Sequence, residues 1–404
     1  MRAQRAFRDM APRVQLLFLL AAANALAFAA WQALLNNFAV EQAAFDGAQI
    51  GVLHSAREIP GLLAFTAVWV LLLITQQRFA LLSLAVLGLG TAATGLFPSF
   101  WGLIATTVIM SVGFHYLETL QTSLTLQWVP KAETAVTLGR LTATRSGVTL
   151  TSLALLYVLL WVLELDYAWL YGGAGLVAAL AALWAHMRYP LFEEDTPQRK
   201  ELILRTRYWL YYVLTFLSGA RRQIFVVFAG FLLVEKFGVE IETVVLLFLV
   251  NAALTTWLAP RIGAFIGRVG ERAALTLEYS GLAIVFTAYA FVDTLWIAIG
   301  LYLVDHVFFA MAIAIKTYFQ KIADPRDIAS TAGISFTINH IAAVVLPIAL
   351  GALWLDSPAT VFICGASLAL LSLICAQLVP DEPAPGAETR SLGRSVSIIQ
   401  TTMR

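Results

Sequence analysis

Charge is what this chain of 404 residues has least of. Asp, Glu, Lys and Arg make up 13% of it, against about 25% in an ordinary soluble domain. That shortage excludes a water-facing surface over most of its length. Cysteine is scarce too. Cys364 and Cys375 fall in one apolar run, 11 residues or three helical turns apart. They read as small lipid- or core-facing residues, and a disulfide framework is excluded. No CxxC or HExxH spacing occurs, so neither a metal nor another cofactor is expected. The net charge is only +1, and no nucleic-acid partner is expected. No cleavable leader is expected either, because the Arg-rich start runs straight into a long apolar segment. What is abundant is apolar: 60% of the residues, with a mean hydropathy of +0.80. The chain reads as an integral membrane protein.

A membrane-crossing helix needs roughly 20 apolar residues. Twelve such segments can be drawn, at approximately 14–38, 48–74, 79–97, 100–127, 135–163, 167–187, 208–235, 242–265, 273–293, 294–320, 328–354 and 358–379. The expected fold is all-α, with twelve transmembrane helices. Basic residues mark one side of the membrane: Arg2, Arg5, Arg8, Arg13, Arg78, Lys131, Arg188, Lys200, Arg268, Lys321, Arg326, Arg394 and Arg404. The opposite loops carry Glu41, Asp46, Glu164, Asp166, Glu235, Glu240, Asp293 and Asp356, with Lys236 as the one base. By the positive-inside rule both termini are cytoplasmic, and an inner-membrane location is expected.

The longest polar connection, 188–207, follows the sixth segment. It divides the chain into a six-helix bundle at 1–187 and a second at 208–379. A surface helix over 198–207 is expected within it. The Pro-, Ser- and charge-rich end, 380–404, is expected to be a disordered cytoplasmic tail. The halves repeat weakly. Pro130 and Pro325, Gln121 and Lys316, and Arg145 and His340 are each 195 residues apart. Arg78 and Arg272 are 194 apart, and Gly175 and Gly365 are 190 apart. Two repeats in one orientation suit a central site between halves.

The stretch from Gly263 to Arg272, GAFIGRVGER, is similar to the cytoplasmic G-x-x-x-D-R-x-G-R-R loop of the major facilitator superfamily. Gly263, Arg268, Gly270 and Arg272 match it. Gly267 replaces the acid, and Glu271 replaces a base. The loop at Ile74–Arg78 has lost the motif. The resemblance extends over approximately 14–379 and implies a transporter, not an enzyme. It also implies that the first, fourth, seventh and tenth helices line a central cavity, with the second, fifth, eighth and eleventh flanking it.

Ionisable residues deep in the apolar runs fall on these helices. A mid-bilayer charge costs at least about 2.5–3.5 kcal/mol, so such groups face a cavity or a partner. The second helix has His54, Arg57 and Glu58; the fourth has His115 and Glu118; the fifth has Arg145. The seventh has Arg221 and Arg222; the tenth has Asp305, His306 and Lys316; the eleventh has His340. Depth suggests a Glu118–Arg145 pair and an Asp305–Arg222 pair. Arg57 and Glu58 are sequence neighbours and are expected to point in different directions. Lys316 either faces the cavity or snorkels. Deep bases exceed deep acids by two, which favours an anionic small-molecule substrate. Arg57, Arg145, Arg221, Arg222 and Lys316 are the candidate ligands, with Gln32 and Asn251 as amide contacts. Glu58, Glu118, Asp305 and His340 are the candidate proton carriers. A proton-coupled, monomeric anion transporter in the lipid bilayer is the leading reading. Proton-driven efflux of amphiphiles and a non-transporting sensor or assembly subunit are the alternatives. A membrane enzyme finds no nucleophile–base pair in the sequence.

Overall fold

The computed structural model of the chain describes residues 10–45, 47–161, 163–239 and 241–390. Arg2, Arg5, Arg8, Asp46, Glu240, Arg394 and Arg404 lie outside them. Apolar composition and the membrane's demand for internally satisfied backbone favour helices throughout. Among the described residues no β-strand occurs, and eleven helices are long and apolar enough to cross a membrane. The protein is a multi-pass integral membrane protein.

The first half contains α1 (Pro12–Ala43), α2 (Gly47–Leu62), α3 (Ala67–Val70), α4 (Gln76–Thr94), α5 (Phe100–Trp128), α6 (Lys131–Trp161) and α7 (Tyr167–Arg188). The second half contains α8 (Trp209–Gln223), α9 (Gly230–Glu235), α10 (Ile241–Val269), α11 (Glu271–Phe291), α12 (Leu295–Phe309), α13 (Ile313–Ile322), α14 (Ile328–Asp356) and α15 (Pro358–Gln377). Starts follow local chemistry. Ser99 Oγ accepts from the Gly102 amide at 3.2 Å to cap α5. Ser357 does the same for α15, where Pro358 opens the helix. Gly270, at φ 83°, makes the turn between α10 and α11.

Three passages are interrupted. The second breaks after Pro60 into α2, a 3-10 turn (Ala64–Thr66) and α3. Proline lacks the amide that would continue the ladder. The freed backbone groups are satisfied from α14: Thr337 Oγ1 donates to the Leu62 carbonyl at 3.1 Å and accepts from the Phe65 amide at 3.1 Å. The seventh passage joins α8 to α9 through a π-helix, Ile224–Ala229. The tenth joins α12 to α13 through a 3-10 turn, Ala310–Ala312.

One apolar core is built mainly from α1–α7, and two mainly from α8–α15. Leu126, Ala135 and Leu138 of the first half belong to a core of the second half. The halves therefore close together at the end that carries the Pro130 and Pro325 turns. There α6 packs on α10, with Gly139 over the Ala259 carbonyl and Gly263 over the Ala135 carbonyl. Each glycine lies four residues after the alanine its own helix presents, so bare backbone meets bare backbone twice. Gln320 donates to the Leu126 and Val129 carbonyls at 2.7 and 2.9 Å. Lys131 Nζ donates to the Lys321 carbonyl at 3.0 Å.

Residues 198–207 do not form the expected surface helix; only Thr206–Tyr208 makes a 3-10 turn. Their amides and side chains are used elsewhere. The Arg199 amide donates to the Arg326 carbonyl at 2.9 Å, and the Ile203 amide to Ser330 Oγ at 2.9 Å. Asp327 is fully buried and accepts from Arg205 (a bidentate pair) and from the Tyr208 hydroxyl at 3.1 Å, with Arg199 at 3.3 Å. The connection is thus stapled to the start of α14. Its other end is held by Arg13, which donates to the Glu193 carbonyl at 2.7 Å and to Asp195. That guanidinium holds the Asp195 carboxyl below its ordinary range. Residues 380–390 are not free chain: Arg272 pairs with Asp381, the Tyr318 hydroxyl donates to the Glu388 carbonyl, and the Arg390 amide donates to the Leu378 carbonyl.

Candidate functional site

Above the closed end, two polar clusters lie between the halves. The first is centred on Arg145 of α6. Its guanidinium donates to Glu118 Oε2 at 2.8 Å and to Gln121 Oε1 at 2.7 Å. Asn24 of α1 donates to the other Glu118 oxygen at 2.6 Å. Gln121 is oriented in turn by donating to the Leu17 carbonyl at 3.1 Å. Solvent reaches the pair: the Arg145 side chain is 33% exposed and that of Glu118 15%. From the second half, Lys316 Nζ of α13 lies 3.5 Å from Thr122 Oγ1, so it faces the seam. Arg145, Glu118 and Arg222 all lie within electrostatic reach of Lys316. Arg222 is exposed and forms no hydrogen bond or ion pair among the described residues. Lys316 thus faces the Arg145–Glu118 pair from the other half, with Arg222 within its electrostatic reach.

The second cluster joins α2, α5 and α14. Arg57 Nε donates to Glu58 Oε1 at 2.9 Å, although the two are neighbours in sequence. The other carboxylate oxygen of Glu58 faces His115 Nε2 at 3.9 Å and His340 Nε2 at 3.7 Å. The two imidazoles meet edge to face with centroids 5.0 Å apart. Gly61 makes room for them, since a Cβ there would lie 2.3 Å from the His340 ring.

The Major Facilitator Superfamily profile matches residues 16–347. The chain belongs to the Major Facilitator Superfamily. This superfamily fold is shared with FucP, the E. coli fucose:proton symporter, in an outward conformation (TM-score 0.73, 13% identity, 90% of this chain and 97% of that one). It is shared with the human organic anion transporter MFSD10 (TM-score 0.69, 16% identity, 91% and 99%). A bacterial homologue of the iron transporter ferroportin, outward-facing, is similar as well (TM-score 0.72, 15% identity, 91% and 98%). No curated protein matches the chain by sequence. At these identities the likeness establishes the fold alone. Family and fold are those of a transporter rather than an enzyme.

Within this superfamily frame the remaining candidate residues separate. Arg221 is fully buried and out of reach of a water-borne ligand. It pairs with Glu278 at 3.7 Å, lies 4.3 Å from the Tyr279 ring centroid and contacts Ser372. Asp305 is fully buried as well, and both its oxygens lack a hydrogen-bond partner. The expected Asp305–Arg222 pair does not form; the arginine within electrostatic reach of Asp305 is Arg221. Adjacent arginines on a helix point about 100° apart, which sends Arg221 into the bundle and Arg222 out. Gln32 is exposed on α1, and Asn251 is buried on α10 with both amide atoms unpartnered.

In the loop motif, Glu271 is 2% exposed and receives Lys321 Nζ at 2.7 Å. Lys321 also accepts Lys131 through its carbonyl, so this ion pair lies at the closed end. Arg268 is exposed and Arg272 binds Asp381. Asn24 and the convergence of His115 with His340 went unread in the sequence. A lone amide inside the apolar run 14–38 was the available signal for Asn24. For the histidines there was none, since they lie on helices 225 residues apart in the chain.

Proposed function

We propose that this transporter moves a small organic anion, carboxylated or phosphorylated, by alternating access with proton coupling. The observation that supports the reading is the solvent-reached Arg145–Glu118 pair, faced across the seam by Lys316, with Arg222 within electrostatic reach of Lys316. Arg145 offers a planar fork suited to a carboxylate or phosphate. Lys316 and Arg222 add charge from the opposite half, so a bound anion draws the halves together. Glu118 occupies Arg145 when no substrate is present. An anion that takes Arg145 releases the Glu118 carboxylate, which then takes a proton. Loss of the anion returns Glu118 to Arg145 and frees the proton, so the two travel together.

The closed end carries the basic loops, and the positive-inside pattern assigns that end to the cytoplasm. The conformation is then outward-open, in an inner membrane, with both termini cytoplasmic and the chain working as a monomer of two six-helix bundles. The anion substrate of MFSD10 and the proton coupling of FucP agree with this reading by fold-level analogy.

The test begins with thermal-shift screening of the purified chain against carboxylates, phosphates, and cationic or neutral amphiphiles. An anion should stabilise the protein, and Arg145→Ala or Arg222→Ala should abolish the shift. In proteoliposomes, uptake of that anion should collapse with an uncoupler and lose its pH dependence in Glu118→Gln. Stabilisation by amphiphiles alone refutes the anion assignment. Uptake indifferent to the uncoupler refutes proton coupling.

A further inference from the structure

We propose that Glu58, His115 and His340 form a binding site for a divalent first-row transition-metal ion, and that the ion ties α14 to α2 and α5. Their three ligand atoms, Glu58 Oε2 and the two Nε2 atoms, lie within 4.8 Å of one another. Metal–nitrogen and metal–oxygen bonds of about 2.0–2.2 Å need ligand atoms about 3.3 Å apart in a tetrahedral set. Side-chain movements of about 1 Å bring the three groups to that spacing.

The protonation pattern suits a metal. His115 Nδ1 lies 2.9 Å from the Ser111 carbonyl oxygen, and His340 Nδ1 lies 2.9 Å from that of Phe336. A carbonyl can only accept, so each Nδ1 carries the hydrogen and each Nε2 presents a lone pair. Ser111 Oγ, 2.9 Å from the same Nδ1, donates its own proton to the Arg57 carbonyl and accepts as well. Two imidazole lone pairs and a carboxylate oxygen therefore point at one another with no donor between them. Such a set of lone pairs, with His115 buried and Glu58 and His340 only partly exposed, suits a cation at its centre. Nδ1–H to carbonyl is also the support that metal-binding histidines generally have. Glu58 is steadied by Arg57 through its far oxygen. Arg57, and Arg222 within electrostatic reach of His340, oppose a cation and hold the affinity down. Two nitrogens and one oxygen select zinc, cobalt, nickel, copper, iron or manganese over magnesium and calcium.

The ligands come from both halves. Glu58 and His115 belong to the first and His340 to the second, so an ion bound here braces the seam in this conformation. The site shares no ligand with the Arg145 cluster and stands whether or not the anion reading does.

The probe is cobalt(II) added to the tag-free, full-length chain in detergent. Visible ligand-field bands should appear, saturate, and bleach on addition of zinc. They should be absent in His115→Asn, His340→Asn and Glu58→Gln, and retained in His306→Asn. Size-exclusion profiles verify folding; should the nearly buried His115 variant misfold, the variants at His340 and Glu58, 12% and 25% exposed, decide the matter. No bands at millimolar cobalt, or bands that survive all the ligand variants, overturn the site. Zinc should also slow amide exchange in the first turns of α14. Exchange there that is unchanged with zinc bound overturns the brace.

Discussion

Alanine at Gly139 and Gly263 together should loosen the closed end, and the size of the effect can be worked out. A Cβ at Gly139 would lie 2.3 Å from the Ala259 carbonyl oxygen, and one at Gly263 would lie 2.3 Å from that of Ala135. Ordinary contact begins near 3.4 Å, so α6 and α10 must part by about 1 Å. Helix backbones cannot rotate away as a flexible side chain would. Overpacking of this kind costs about 1–3 kcal/mol. Alanine also improves helix propensity by about 1 kcal/mol over glycine, but that gain applies in every conformation and does not shift the balance between them. If the opposite conformation separates these helices, the closed end loses about 5- to 150-fold in relative population. Leu126, 3% exposed and packed into the other half's core, is the reporter position. With Cys364 and Cys375 replaced by alanine, Leu126→Cys should react with a membrane-permeant maleimide at least about 5-fold faster in the double-alanine background. Equal labelling rates in two proteins with the same size-exclusion profile would refute the reasoning.

Three further outcomes follow from the ion pairs. Asp327→Asn takes the negative charge and one of the two acceptor oxygens from the surrounding arginines. Because those arginines are partly exposed, the loss should be about 1–3 kcal/mol, seen as faster tryptic cleavage at Arg199 and Arg205; an unchanged cleavage rate contradicts the staple. Acid should weaken the same connection. Hydrogen bonds from Arg13 and Arg326 hold Asp195 and Asp324 below the ordinary carboxylate range. Their stabilisation is therefore full above that range and disappears as pH falls through the folded values, so protection from amide exchange across 195–203, taken relative to the intrinsic rate at each pH, should fall there and stay flat near neutrality. Arg221→Met strips the counter-charge from Glu278 and Asp305, both fully buried. A loss of about 3–5 kcal/mol is expected, with Glu278→Gln restoring part of it in detergent melting curves. A melting temperature insensitive to Arg221→Met would mean that Arg221 is not the counter-ion.

Apolar run lengths suffice for the membrane helices, because a bilayer admits few other structures, and the Gly263–Arg272 loop carried the superfamily resemblance. The second passage shows the limit of that reading. Its span was legible, but its break at Pro60 is stabilised by Thr337, which lies far off in sequence. Which charges meet was less legible still. The Glu118–Arg145 contact could be read from depth along a hairpin. Arg221 and Arg222 looked equivalent, and only helix rotation against α11 and α15 separated a buried counter-ion from an exposed cation. The connection 188–207 looked solvated, yet its arginines found Asp327, because a fully buried acid at the start of α14 demands partners. Composition thus determined the membrane fold and the presence of costly charges within apolar helices. Tertiary packing alone decided their partners, because direction around a helix axis and proximity across 225 residues of chain, as between His115 and His340, are not written in local sequence.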